Sequence, residues 1–95
     1  MIVTSDIYKL RRILRKIEKD LQDPTPRIGS IHPTYKIKLF GQKFEMWGSG
    51  KTHVIFRLIG FEAESICLSE TSPELFLDNM QQMFNDLIVN DVMIT

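Results

Sequence analysis

Cysteine is nearly absent from this sequence: Cys67 stands alone. One thiol cannot close an intrachain disulfide, and a four-cysteine zinc site is equally excluded. The count fits a reducing compartment, and a cytoplasmic location is the expectation. Long apolar runs are missing too; none approaches the roughly 20 residues that span a bilayer. The opening "MIVTSDIYKLRR" reaches charge too soon for a secretory leader, so no membrane association is expected. Histidine is scarce. His32 precedes Pro33 in a proline-rich stretch and His53 opens an apolar run, so two imidazoles and one thiol leave a tetrahedral metal site short of ligands. A Cys67–His53 pair on neighbouring strands is conceivable as nucleophile and base. Cys67 nevertheless has the alternation phase of Ser65 and Ser69, and a small half-buried cysteine is more often packing than chemistry. No catalytic residue, metal or cofactor is therefore expected, and the chain reads as non-enzymatic.

Basic residues are absent after Arg57. The first 57 residues hold twelve basic and five acidic side chains, and the remainder hold seven acidic ones and none basic, so the net charge of zero conceals a bipolar chain. Such asymmetry suits two halves folded against each other, an anion-binding face, or contact between copies. With 95 residues the chain makes one domain with one core, small enough that a partner subunit would add useful burial.

The stretch "GSGKTH", residues 48–53, ends in the Gly-Lys-Thr of a phosphate-binding P-loop. That motif also requires glycine five residues before Gly50, where Glu45 stands, and a helix whose N-terminal amides hold the phosphates. After Thr52 comes "HVIFRLIGF", rich in β-branched and aromatic residues that favour a strand. The segment reads as a hairpin turn, not a nucleotide site.

Periodicity marks out the elements. Residues 5–22 read as a helix whose Ile7, Leu10, Leu14, Ile17 and Leu21 form an apolar seam at spacings of three and four. Lys9, Arg12, Arg15, Lys16 and Lys19 make the opposite face basic. A proline-rich loop covers 23–34, with Ile28 and Ile31 as its expected anchors. Alternation predicts strands over 35–40, 43–47, 52–61 and 65–69, with Gly41-Gln42 as a two-residue turn and with Ile66 and Leu68 facing inward. Ser72-Pro73-Glu74 starts a helix over 73–89, and "NDVMIT" reads as a loop or short strand. The expected fold class is α+β: α-β-β-β-β-α, an antiparallel meander with both helices on one face.

Two functional readings emerge. The strand over 52–61 is apolar on both sides, and two helices cannot cover both faces of so small a sheet. The uncovered face, through Trp47, Ile55, Ile59 and Phe61, is expected to bind a second copy or another protein, which makes a self-associating adaptor or regulator the first reading. The alternative is nucleic-acid binding through the basic helix face. The element order resembles, in outline, the double-stranded-RNA-binding domain. That family's second helix opens with lysines that grip phosphate, whereas this one opens "SETSPELFLDN", whose carboxylates repel it.

Overall fold

A computed structural model describes residues 4–22 and 33–89. Helix α1 spans Thr4–Gln22, strands β1 to β4 span Tyr35–Leu39, Gln42–Ser49, His53–Leu58 and Glu64–Leu68, and helix α2 spans Pro73–Phe84. A wide π-helical turn over Asn85–Val89 continues α2, so the helix expected over 73–89 changes winding for its last five residues. The four strands form one antiparallel sheet in the order β1-β2-β3-β4, leaving β1 and β4 as edges. This is the α-β-β-β-β-α layout expected. The loop anchors Ile28 and Ile31, the residue His32 and the tail 90–95 lie outside the described residues.

Strand alternation divides the sheet into two faces. On one, Ile37, Leu39, Phe44, Met46, Val54, Phe56 and Leu58 are buried. Against them lie Leu10, Ile17 and Leu21 of α1 and Phe76, Leu77, Met80 and Met83 of α2. The helical seams thus meet the inward strand positions in one core, with both helices on this face. The Phe56 and Phe76 rings, 6.1 Å between centroids, join β3 to α2. Tyr35 donates from its hydroxyl to Asp20 Oδ2 at 2.7 Å, which ties β1 to α1. The surplus apolar residues of the second helix are mostly absorbed as well: Leu77 is buried and Ile88 packs on the core, leaving Leu75 exposed.

The turns decide where faces change. The first hairpin turns at Phe40-Gly41, one residue earlier than the glycine alone suggests, since Leu39 pairs with Gln42. Both residues have positive φ, 55° and 74°, the signature of a two-residue turn whose twist matches its strands. Positive φ is costly for a bulky residue, and here the Phe40 ring packs on Phe44 and Phe84. The second turn lies at 50–52, so β2 runs on through Gly48 to Ser49. Lys51 belongs to this turn, and His53 begins a strand, so the P-loop lookalike is part of a hairpin.

Gly48 is needed for space. A Cβ there would lie 2.8 Å from Leu21 Cδ2, 3.1 Å from Leu21 Cγ and 3.3 Å from Ile17 Cγ2, inside ordinary carbon contact. The hydrogen on Gly48 lets the last turn of α1 rest directly on β2.

Candidate protein interface on the open sheet face

Neither helix packs on the second face of the sheet. Its residues are given by the strand register, because cross-strand partners share a face. One row runs Lys36, Glu45, Arg57, Glu64 from edge to edge; the next runs Trp47, Ile55, Ile66; a third holds Ser49, His53 and Leu68. Lys38 and Lys43 pair beyond the charged row. Ile66 is 58% exposed and Leu68 46%, while Trp47 and Ile55 are half-buried by their neighbours; Ile59, 37% exposed, follows the end of β3 beyond the charged row, its amide bonded to the Lys43 carbonyl. An apolar band therefore crosses the face from β2 to β4, bounded on one side by charge.

The charged row is well made. Arg57 donates from Nη2 and Nε to Glu45 Oε2 at 2.6 and 3.1 Å, and its Nη1 lies 3.6 Å from Glu64 Oε1. The guanidinium also sits over the Trp47 ring, 5.4 Å from its centroid, within cation–π range. The hydrogen bonds to Glu45 hold the Arg57 proton more firmly than usual; desolvation opposes this, and the charges of Glu45 and Glu64 reinforce it. Arg57 thereby clamps three strands and fixes the indole beside the apolar band.

Two expectations about this face need correction. Phe61 does not join it: β3 stops at Leu58, Gly60 takes φ 98°, and Phe61 N–H returns to the Leu58 carbonyl at 3.1 Å. The chain has turned by then, strand parity no longer applies, and the ring packs on the core. Ile66 and Leu68, expected inward, face outward instead. Val54 pairs with Cys67 and Ile55 with Ile66, because the five-residue connection between β3 and β4 reverses the parity; a one-residue shift in phase flips a whole strand. The helix-facing positions of β4 are consequently Ser65 and Cys67. The alternation in the sequence suggests the reverse, since Cys67 shares its phase with two serines, and only the register with β3 reveals the true face.

The same register separates Cys67 from His53. The cysteine lies on the helix side, with Asn79 Nδ2 at 3.2 Å from its Sγ, and His53 lies on the open side with Thr52 Oγ1 at 3.0 Å from Nδ1. They do not form a nucleophile–base pair. Among the described residues no group of three or more histidine, cysteine or carboxylate side chains is placed to hold a metal ion, and no helix is long and apolar enough to cross a membrane.

The basic helix face divides. Lys9, Arg12 and Lys16 join Lys36 and Lys38 around a groove of about 310 Å³ between α1 and β1, floored by Ile13 and Ile37. Arg15 turns instead toward Arg11, Glu18 and the start of α2, and Lys19 is exposed outside both grooves.

No protein-family model matches this chain, and no curated protein or solved structure matches it either. The class that fold and surface define is a small α+β domain with a two-helix layer on one side of a four-stranded sheet and, on the other, a partly apolar face that the described residues leave open.

Proposed function

We propose that the protein is a non-enzymatic interaction module, an adaptor or regulator, that self-associates through the open face of its sheet. One observation carries this: Trp47, Ile55, Ile66 and Leu68 form a contiguous apolar band on a face that neither helix covers. Scattered exposed apolar residues are ordinary, whereas a contiguous band marks a contact surface. A second copy is the favoured occupant because it brings a matching apolar band, and because the charge beside that band alternates in sign instead of repelling a like surface. Light scattering behind size exclusion tests this. The wild-type chain should shift from monomer toward dimer mass as concentration rises into the high micromolar range, and an Ile66→Lys variant should stay monomeric with an unchanged circular dichroism spectrum. A wild-type chain that remains a strict monomer removes the reading.

The basic groove supports a second reading, nucleic-acid binding. Lys9, Arg12 and Lys16 of α1 and Lys36 and Lys38 of the β1 edge line it, and among the described residues no carboxylate does, an arrangement that suits phosphates. Fluorescence anisotropy with labelled DNA and RNA should show binding that weakens steeply with salt and disappears in Arg12→Glu/Lys16→Glu. No shift at low salt removes this reading.

A further inference from the structure

The row Lys36, Glu45, Arg57, Glu64 has a property beyond local ion pairing. Read across the sheet its charges run plus, minus, plus, minus, and each residue is the cross-strand neighbour of the next. A two-fold axis parallel to the strands, passing between β2 and β3, reverses the order of strands in the second copy. It sets the partner's β4 over β1 and the partner's β3 over β2. The row then meets itself reversed, so every positive position faces a negative one: Lys36 against Glu64 and Glu45 against Arg57, each twice. A two-fold axis lying across the strands along this row instead sets each of its residues over its own copy and brings like charges together. An isologous interface has to be self-complementary in this sense.

We infer that the occupant of the open face is a second copy related by the strand-parallel two-fold, and that the charged row sets this orientation. The inference rests on the self-association proposed above and supplies its symmetry and register. The apolar rows agree with it. Under the same operation Trp47 comes over the partner's Ile55, so the two indoles flank the axis and the bands close into the middle layer of a sandwich. Sheets packed face to face keep their strands within about 30° of each other and lie about 10 Å apart, which preserves this strand-over-strand correspondence. Arg57, already held by Glu45 and Glu64, would join its two-fold mate in a closed cluster of alternating charge, so the guanidinium leaves water with its partners in place. Electrostatic matching of this sort selects orientation more than it adds affinity.

Positions 36 and 64 give the test, because β1 and β4 are separated by the width of the sheet. Three strand spacings amount to about 14 Å, too far for the two side chains to compensate within one protomer. Lys36→Glu and Glu64→Lys should each weaken homodimerisation by roughly tenfold or more, since each sets like charges opposite each other twice. Mixing the two variants should restore association as a heterodimer, in which both pairs again have opposite sign. Lys19→Glu mixed with labelled Glu64→Lys is the control: its charge sum is the same, but position 19 lies off the face, so only one of the two pairs regains opposite sign and the labelled chain should recover clearly less than in the first mixture. The readout is sedimentation velocity with one partner fluorescently labelled. Fuller recovery in the first mixture than in the control supports the inference. Equal recovery in both, or single variants that dimerise like the wild type, overturns the orientation while leaving self-association standing. A monomeric wild-type chain overturns both.

Discussion

Replacing Gly48 by alanine should destabilise the protein, although glycine in a strand interior is normally the weaker choice. A methyl group at this position starts 2.8 Å from Leu21 Cδ2 and 3.1 Å from Leu21 Cγ, whereas carbon atoms rest at about 3.5–4.0 Å. Either α1 moves away from β2 or Leu21 leaves its rotamer, and overpacking of this kind costs about 1–3 kcal/mol. Against that, alanine restricts the unfolded chain and returns about 0.4–1 kcal/mol. The net expectation is a loss of about 1–2 kcal/mol, which for a domain of this size lowers Tm by roughly 4–16 °C. Thermal and urea unfolding followed by circular dichroism would measure it. A second variant identifies the cause. Leu21→Ala, at a buried position, should cost about 2–5 kcal/mol alone, and Gly48→Ala should become nearly neutral in that background, because the vacated space admits the methyl. A Gly48→Ala protein that melts higher than the wild type, or two substitutions that add within about 0.5 kcal/mol, would refute the packing of α1 on β2.

Other substitutions probe different joints. At Phe40, whose φ is 55°, alanine should be worse than glycine by about 1 kcal/mol in chemical denaturation, since both lose the ring but only glycine is at ease there. Phe56→Ala, which removes a fully buried ring packed at a tilt against Phe76, should cost about 3–5 kcal/mol in the same assay. Ser72 accepts from the Leu75 amide at 3.3 Å as the N-cap of α2, so Ser72→Ala should cost about 0.5–2 kcal/mol while Ser72→Asp should not. Arg57→Lys keeps the charge but loses the two-pronged bond to Glu45; an altered Trp47 fluorescence spectrum in a folded protein is the expected sign that the indole has lost the guanidinium held over its ring.

The layout is legible in sequence because each element repeats one clear pattern. The seam of Leu10, Ile17 and Leu21 has helical spacing, "YKIKLF" alternates cleanly, and Ser72-Pro73-Glu74 marks a helix start. Misreadings gather at turns, where parity is set by loop length and not by composition. Gly48 looks like turn chemistry, and its purpose is visible only once α1 lies against it. Phe61 looks like the next outward residue of a strand that has already ended at Leu58. The outward phase of Ile66 and Leu68 requires the β3–β4 register, and the alternating charge of Lys36, Glu45, Arg57 and Glu64 appears only when four distant segments are laid side by side. Lys36 and Lys38 are cations on any reading, but their grouping with Lys9, Arg12 and Lys16 depends on α1 lying along the β1 edge.

The claim that a second copy covers the open face is tested most directly by an isotope-filtered NOE experiment on a mixture of labelled and unlabelled protein. The expected result is a set of contacts between protomers that joins the Trp47 indole to the Ile55 methyl groups, strengthening as concentration rises. Contacts between protomers that arise only from Leu75 and the outer side of α2, or no such contacts in a concentrated sample, would contradict it.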